Sequence, residues 1–356
     1  SISIPKTVKT IDDFAFSNCN NLGSVIFREG ITSIGKFAFQ GCTKLETVNI
    51  PKTLLTISEY MCLECSSLKH IELHDRITQI QKGAFSNCYA LESIQMPPEI
   101  VDISDKSFYK CKALKTIHFP ERLKSIGNSA FANCESLEKV DCPESIETIK
   151  ESAFLGCVSL KQINLPNQLK SLKHSAFSGC ISICSITIPP SINLITESLF
   201  MGCTSLREIR LNDNIQKIGK RAFANCSSLE IITIPKSVEA IDESAFMQCS
   251  ALKQVNLNEG LKTIGKYAFS GCSNMNEINL PQTLETISEH AFSNCSSMSS
   301  ITLPKCVKTI GNYAFSDCKS LESATFQCNL TKIEPYTFYK CQNLKSVTLN
   351  DKLKTI

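Results

Sequence analysis

The stretch CSSLEIITIPKSVEAIDESAFMQ, residues Cys226 to Gln248, is followed without a break by CSALKQVNLNEGLKTIGKYAFSG, residues Cys249 to Gly271. The two stretches align residue for residue and share the template C-x-x-L-x-x-I-x-L-P-x-x-L-x-x-I-x-x-x-A-F-x-x. Self-similarity at a fixed period of 20 to 50 residues indicates a repeat architecture. The fold therefore depends on what one 23-residue unit forms and on how such units stack.

The same period runs through the whole chain of 356 residues. Its most regular mark is a phenylalanine grid, which is interrupted only at Cys62, and a cysteine follows three residues after each of the fifteen grid points. The grid phenylalanines are Phe16, Phe39, Phe85, Phe108, Phe131, Phe154, Phe177, Phe200, Phe223, Phe246, Phe269, Phe292, Phe315 and Phe338. No insertion or deletion disturbs this register, so equivalent side chains of successive units are predicted to form columns.

Each unit is predicted to contain a strand, a turn and a short helix. In the first quoted stretch, the alternation around Ile232 and Ile234 has the two-residue period of a strand. Pro235 lacks the N–H group that would continue a ladder, so it marks the end of that strand. Asp242 is suited to cap one or two helical turns that carry Phe246 inward.

A single unit of this kind cannot fold alone. Its few inward aliphatic side chains each contribute roughly 1.5–3 kcal/mol when buried, whereas ordering each residue costs about 1–2 kcal/mol of backbone entropy. Stacked neighbours bury the same side chains from both sides, and the free energy of burial then offsets the cost in backbone entropy. We therefore predict an α/β repeat fold, a single solenoid of about fifteen units over residues 1–356, coiled as a right-handed coil or arc.

The pattern L-x-x-I-x-L-P-x-x-L-x-x-I-G-x-x-A-F-x-x-C resembles that of the BspA-like leucine-rich repeat proteins, over the whole chain from Ile4 to Ile356. The resemblance implies a leucine-rich-repeat solenoid. It also implies a role in binding proteins, since the family is associated with microbial and protozoan surface proteins that adhere to host or matrix proteins, and some members are intracellular. A repeat of this kind defines a scaffold and leaves the ligand open.

Composition excludes several classes of function. The formal net charge is only +3, with 37 basic and 34 acidic residues, which argues against nucleic-acid binding because that needs a clustered basic excess. No apolar run reaches the roughly 20 residues of a membrane span.

The N-terminal SISIPKTVKT does not have the form of a signal peptide and lacks an initiator Met. Both ends stop within the repeat, so we expect either a longer native chain or ends that are prone to association.

The cysteines raise the question of metal or redox chemistry. Cys62 and Cys65 form a C-x-x-C, but Cys65 belongs to the column and Cys62 replaces a core Phe, so we interpret the motif as a coincidence of two core columns. We expect the fifteen column cysteines to be reduced and packed. Of the five others, Cys62 and Cys142 are predicted to point inward, and three to face outward: Cys184, Cys306 and Cys328. A disulfide between Cys306 and Cys328 is an open alternative to two free thiols.

Neither a cofactor nor a metal is expected. The five histidines do not recur at ligand spacing, and the two in outward strand positions, His70 and His118, lie two units apart. No G-x-S-x-G and no glycine-rich phosphate loop occurs. An enzyme is therefore the weakest of the three functional readings, behind a surface adhesin and an intracellular scaffold.

The outward strand columns form a broad polar face, which we predict to bind a partner protein. The charged and varied middle is the favoured region, while a sheet face that merely needs to be polar is the alternative. The candidate residues are His70, Glu72, Gln95, His118, Lys139, Asp141, Gln162, Asn164, Glu208 and Arg210.

Three N-x-S/T sequons, at Asn225, Asn294 and Asn329, are candidate glycosylation sites. Localisation is left open by the sequence. The family resemblance favours a secreted or cell-surface protein, whereas unpaired cysteines favour the cytoplasm. The sequence does not fix the oligomeric state.

Overall fold

The computed structural model describes residues 1–356 and divides into two compact units, Ser1–Ser182 and Ile183–Ile356. Each unit is a stack of 23-residue coils, and most coils carry one strand of three or four residues and one strand of two residues. All strand pairs are parallel and in register with the period, as between Ile117 and Val140. About fifteen turns of a leucine-rich-repeat solenoid are therefore present, as predicted.

In the first unit each longer strand lies just before the turn that follows the L-x-x-I-x-L motif. They are β1 (Ile2–Ile4), β3 (Ser24–Phe27), β5 (Thr47–Asn49), β7 (His70–Glu72), β9 (Ser93–Gln95), β11 (Thr116–His118), β13 (Lys139–Asp141) and β15 (Gln162–Asn164). The two-residue strands are β2 (Thr10–Ile11), β4 (Ser33–Ile34), β6 (Thr56–Ile57), β8 (Gln79–Ile80), β10 (Asp102–Ile103), β12 (Ser125–Ile126), β14 (Thr148–Ile149) and β16 (Ser171–Leu172). The longer strands pair as β1-β3-β5-β7 and as β9-β11-β13-β15.

The second unit has the same two series, except that residues 277–279 form no strand and Lys332 makes only an isolated bridge to Thr355. The longer strands are β17 (Ser185–Thr187), β19 (Glu208–Arg210), β21 (Ile231–Thr233), β23 (Gln254–Asn256), β26 (Ser300–Leu303), β28 (Ser323–Phe326) and β29 (Ser346–Thr348). The two-residue strands are β18 (Leu194–Ile195), β20 (Lys217–Ile218), β22 (Ala240–Ile241), β24 (Thr263–Ile264), β25 (Thr286–Ile287) and β27 (Thr309–Ile310). The longer strands pair as β17-β19, β21-β23 and β26-β28-β29.

The predicted short helix is wrong, because no residue of the structure is helical. The A-F-x-x-C segment is instead a run of turns with two left-handed corners per coil, such as Arg221 at φ 54° and Asn225 at φ 62°. Cys226 N–H donates to the Phe223 carbonyl three residues earlier, at 3.1 Å, whereas Phe223 N–H donates to Ala245 of the next coil, at 2.8 Å. Alternate N–H groups thus bond to the neighbouring coil and are not available for the i to i−4 bonds of a helix.

The grid phenylalanines form the centre of the core in both units. Twelve of them are almost fully buried. In the second unit the rings of Phe246 and Phe269 lie nearly parallel with centroids 5.2 Å apart, and in the first unit Phe108 and Phe131 are 5.3 Å apart. Stacked rings at this spacing contribute stability beyond that of their burial. Each column of rings therefore stabilises the register between successive coils.

The interruption of the phenylalanine column is also buried. Met61 and Cys62 are both fully excluded from solvent, between the coils that carry Phe39 and Phe85. Met61 occupies the column that most coils fill with Ala. In this coil the large side chain therefore stands one residue earlier than in most other coils, and the volume of the core stays nearly constant.

We predict that Cys62→Phe alone destabilises the protein by about 1–3 kcal/mol through overpacking, and that the added substitution Met61→Ala restores most of this loss. Urea unfolding followed by circular dichroism measures both variants. Equal free energies of unfolding for the single and the double variant would contradict the repacking interpretation.

A second prediction concerns two glycines at left-handed corners, Gly156 at φ 68° and Gly179 at φ 72°. Alanine at either position should cost about 1–2 kcal/mol, because a Cβ is unfavourable there. At Gly156 the Cβ would also overlap Oδ1 of Asn133, whereas at Gly179 its nearest neighbour is Gly156 Cα at 3.5 Å. Thermal unfolding should rank Gly156→Ala below Gly179→Ala, and the reverse order would show that the overlap is harmless.

Candidate functional site

The ten predicted face residues all lie on the longer strands with their side chains exposed. In the first unit, the register of β9, β11, β13 and β15 places four of them in one row across neighbouring strands: Gln95, His118, Asp141 and Asn164. Lys139 and Gln162 lie in the adjacent row, and His70 and Glu72 lie on β7. In the second unit, Glu208 and Arg210 are both on β19. The predicted polar face is thus present as a surface, and its role in binding remains a prediction.

Several charges of this face are paired within their own strand. Lys139 Nζ lies 2.8 Å from Asp141 Oδ2, and Arg210 Nε lies 2.8 Å from Glu208 Oε1. Both pairs are largely exposed, so each contributes little to stability. The pairs hold the charged groups in a defined position on a rigid strand, so that little side-chain entropy would be lost on binding there.

Two exposed isoleucines were not among the predicted residues. Ile26 on β3 and Ile231 on β21 are each 52 % exposed. Both occupy outward strand columns that are otherwise almost entirely polar. The sequence signal for both is an aliphatic residue in a polar column.

One opening in the second unit surrounds one of these isoleucines. A cleft of about 660 Å³ lies between β19 and β21, and its lining includes Arg207, Glu208, Arg210, Ile231 and Thr233. We call it the β19–β21 cleft. It combines an apolar floor with guanidinium and carboxylate groups, which is the usual composition of a recognition pocket.

Two smaller openings in the first unit also contain predicted face residues. One, of about 260 Å³, is lined by Ile26, Asn49, His70 and Glu72 among others.

The second, of about 540 Å³, lies where β9 and β11 end. It is lined in part by Gln95, His118, Phe119, Pro120 and Arg122. Four of the ten predicted residues therefore line clefts of the first unit, and two line the β19–β21 cleft.

The column cysteines have a structural role that the sequence did not reveal. Each thiol for which the bond is resolved donates to a main-chain carbonyl of the preceding coil, as Cys134 Sγ does to Phe108 O at 3.2 Å and Cys249 Sγ to Phe223 O at 3.1 Å. The same Phe223 carbonyl also accepts from Cys226 N–H. A small apolar side chain with one weak donor suits this buried position between two coils.

Burial makes column thiols such as Cys42 and Cys249 poor nucleophiles. Desolvation raises the pKa of Cys42 to about 12 and that of Cys249 to about 12, since an apolar interior disfavours the thiolate. In the C-x-x-C motif, Cys62 and Cys65 are both fully buried, and a hydrogen bond with Cys62, together with burial, raises the pKa of Cys65.

The off-column cysteines depart from prediction at one position. Cys62 is buried and Cys142 is half-buried, as expected, while Cys184 and Cys306 are exposed. Cys328, however, is buried and does not face outward.

The reason is a changed turn in that coil. In the preceding coil, Val307 N–H donates to Pro304 O at 3.2 Å and closes the turn after the strand. The next coil has Gln327 in place of that proline, and Leu330 makes no matching bond. The chain bends differently there, and the Cys328 thiol turns into the core. Cys306 and Cys328 are separate free thiols in the structure.

The three sequon asparagines are all exposed. Asn225 and Asn294 stand at left-handed corners, with φ of 62° and 59°. The hydroxyl groups of their sequons are engaged, since Ser227 Oγ donates to Thr204 O at 3.4 Å and Ser296 Oγ donates to Ser273 O at 3.3 Å. Glycosylation remains a prediction at these positions.

No group of three or more His, Cys, Asp or Glu side chains with the geometry of a metal site occurs in the chain. The structure also has no helix with the length and apolar character needed to cross a bilayer.

Comparison with known proteins identifies the repeat. A family model described as a BspA type leucine-rich repeat region matches residues 1–115, 78–203, 170–274 and 240–356, which together span the whole chain. No curated protein sequence matches the chain.

Solved structures give the same fold. A leucine-rich repeat protein from Bacteroides ovatus is 30% identical, with a TM-score of 0.86, over 91% of this chain and 86% of its own. A leucine-rich cell surface protein from Faecalibacterium prausnitzii is 24% identical, with a TM-score of 0.52, over 97% of this chain and 86% of its own.

The buried thiols predict a steep loss of stability in alkali. Unfolded thiols ionise near pH 9, whereas burial raises the pKa of Cys134 and of Cys157 and keeps both thiols neutral in the folded chain. The contribution of each such thiol to the free energy of unfolding is therefore complete below about pH 9 and falls by about 1.4 kcal/mol per pH unit as the pH rises above it. Cys134→Ala and Cys157→Ala should each reduce this slope by that amount, as measured by urea unfolding between pH 9 and 10.5.

The matched control is Cys306→Ala, which removes an exposed thiol. It should leave the slope unchanged. If all three variants retain the slope of the parent protein, the buried thiols do not govern alkaline stability.

Proposed function

Because the chain belongs to the BspA-type leucine-rich repeat family, we propose that it is a non-catalytic scaffold that binds proteins through the polar face of its longer strands. The finer part of the proposal is adhesion at a cell surface, through recognition of a host or matrix protein. The resemblance to a family that contains surface adhesins supports this setting.

The observation that carries the proposal is the position of Ile231. It is 52 % exposed on a face that is otherwise polar, and it lies in the β19–β21 cleft beside the Glu208–Arg210 pair. Binding hot spots commonly combine an apolar anchor and an arginine within a polar rim that excludes water. The strands fix all three side chains, so little conformational entropy is lost when a partner docks.

The test is a binding assay against immobilised extracellular-matrix proteins and intact host cells, with the parent protein and two variants, Ile231→Asp and Arg210→Glu. Each substitution should weaken binding at least tenfold, because loss of a hot-spot contact costs roughly 1.4 kcal/mol or more. Both side chains are exposed, so circular dichroism should show an unchanged fold.

The matched control for charge is Thr302→Glu, which places a carboxylate in the same template column as Arg210 on another strand of the second unit. It should bind like the parent. Unchanged binding by all three variants, or no binding by the parent to any protein on the panel, would remove the adhesion proposal.

A second candidate is an intracellular scaffold for protein assembly. The observation in its favour is that Cys19 and Cys306 are exposed thiols without a disulfide, which is unusual in secreted proteins. Mass spectrometry of the protein from its native host distinguishes the two roles. Glycans on Asn225 or Asn294 support the surface role, whereas reduced thiols on an unglycosylated chain support the intracellular one.

A further inference from the structure

One coil of the first unit carries a lysine at both of its left-handed corners. They are Lys106, at φ 55°, and Lys110, at φ 58°. Lysine is uncommon in this conformation, which favours Gly, Asn and Asp. No other coil of the chain has a basic residue at both corners. The two lysines therefore stand here at a conformational cost, and residues held in such conformations cluster at functional sites.

Neither corner lysine has an acidic neighbour in its own column. The nearest ion pair along the chain joins Lys112 Nζ to Glu135 Oε1 at 2.9 Å, and neither Lys106 nor Lys110 takes part in one. The equivalent corners of the two flanking coils are neutral: Gly83, Asn87, Ser129 and Asn133.

Lys82, one residue before the first corner of the preceding coil, adds a third unpaired charge. The three other lysines at this template position each pair with a glutamate one coil further on, at 2.9 or 3.0 Å. The acid one coil after Lys82 is Asp105, whose two oxygens instead accept from the N–H and the Nδ2 of Asn128, at 2.7 and 3.1 Å. Asp105 is thus engaged on its other side. The paired lysines are Lys36, Lys220 and Lys266.

The backbone between these lysines carries no side chain. Gly83 lies at the corner directly after Lys82, is buried, has a φ of 62°, and has no room for a Cβ because the ring of Tyr60 lies against it. In the column of first corners, Gly83 directly precedes Lys106. Successive coils are about 4.8 Å apart, so one anionic ligand can contact all three ammonium groups. We call Lys82, Lys106 and Lys110 the corner patch.

Two tyrosines border the corner patch, and lysines cover their rings. Lys110 Nζ lies 5.2 Å from the ring centroid of Tyr109, and Lys112 Nζ lies 6.0 Å from that of Tyr89. Cation–π attraction holds the ammonium groups there. The covered faces do not suit the stacking of bases on which single-stranded nucleic-acid binding depends. The net charge of +3 also lacks the basic excess that duplex binding needs.

We propose that the corner patch binds the sulfate groups of a sulfated polysaccharide. The sulfate oxygens accept charge-assisted hydrogen bonds from the three ammonium groups, and such bonds are roughly twice as strong as neutral ones. A lysine ammonium is a compact charge on a flexible stem, so it adapts to sulfates at different places along the polymer. The site goes beyond the proposed strand-face recognition, because it lies on the turn segment and its ligand is a glycan.

The test measures binding of the full chain to immobilised heparin by surface plasmon resonance. Chemically desulfated heparin is the control for the sugar chain, and single-stranded poly(dT) is the control for a nucleic acid. Heparin should bind about tenfold or more tightly than either, and its affinity should fall steeply between about 50 and 200 mM salt as counterions are released. Equal or tighter binding of desulfated heparin or poly(dT), or no binding of heparin, would overturn the inference.

The decisive variant is the double substitution Lys106→Ser with Lys110→Asn. It introduces the residues that stand at these two corners in the next coil, Ser129 and Asn133, so thermal unfolding should show an unchanged fold. Its heparin affinity should fall about tenfold or more. A second variant, Lys82→Asn, leaves both corners intact and should weaken heparin binding about threefold.

The matched control is Arg221→Ser with Lys340→Asn, which removes two positive charges at the same two template corners, but from two different coils of the second unit. Lys340 also covers a tyrosine, with its Nζ 5.1 Å from the ring centroid of Tyr339. This control should bind heparin like the parent protein.

Two outcomes of the variant series would overturn the inference. One is parent-like heparin binding by the double variant of the corner patch. The other is an equal loss in the control, which would show that binding follows net charge alone. The result is independent of the adhesion test. Heparin binding by a protein that recognises no matrix protein would support the corner patch and remove only the adhesion proposal.

Discussion

The structure depends on hydrogen bonds that each coil makes to the next one. In the turn segment every second N–H group, such as that of Phe223, bonds to a carbonyl 22 residues further on. The strands are too short to be stable by themselves, and the turns have no helix to support them. Each coil is ordered only because its neighbour presents the same backbone groups in the same positions, and the unbroken 23-residue period is what keeps those positions equal.

The side-chain columns follow from that constraint. Once the backbones are in register, Phe246 must lie over Phe269, and Cys249 must lie near the backbone of the coil before it. In such columns, phenylalanine side chains stack as parallel rings and cysteine thiols donate to main-chain carbonyls. Met61 and Cys62 show that the requirement is for filled volume and not for one particular residue.

The period, the strands and the inward columns could be predicted from the sequence, because alternation and register determine them. The turn segment could not: Asp242 and Phe246 have a spacing that suits a short helix, and the competing bonds come from another coil 23 residues away. The outward direction of the face residues follows from the same alternation along the strands. The clefts were not predictable, since they depend on which neighbouring strands pair. Ile231 alone could have been found, as an aliphatic residue in a polar column.

The left-handed corners have a consequence for how such a chain can change in length. Arg221 and Asn225 turn the backbone at fixed points of each coil, and all contacts between coils join residues separated by about one period. Duplication or loss of one whole coil keeps every corner and every column aligned. Gain or loss of even one residue inside a coil would shift all later columns against the earlier ones. Evolution of this architecture is therefore expected to proceed in steps of an entire coil, with substitutions on the exposed strand positions supplying new specificity.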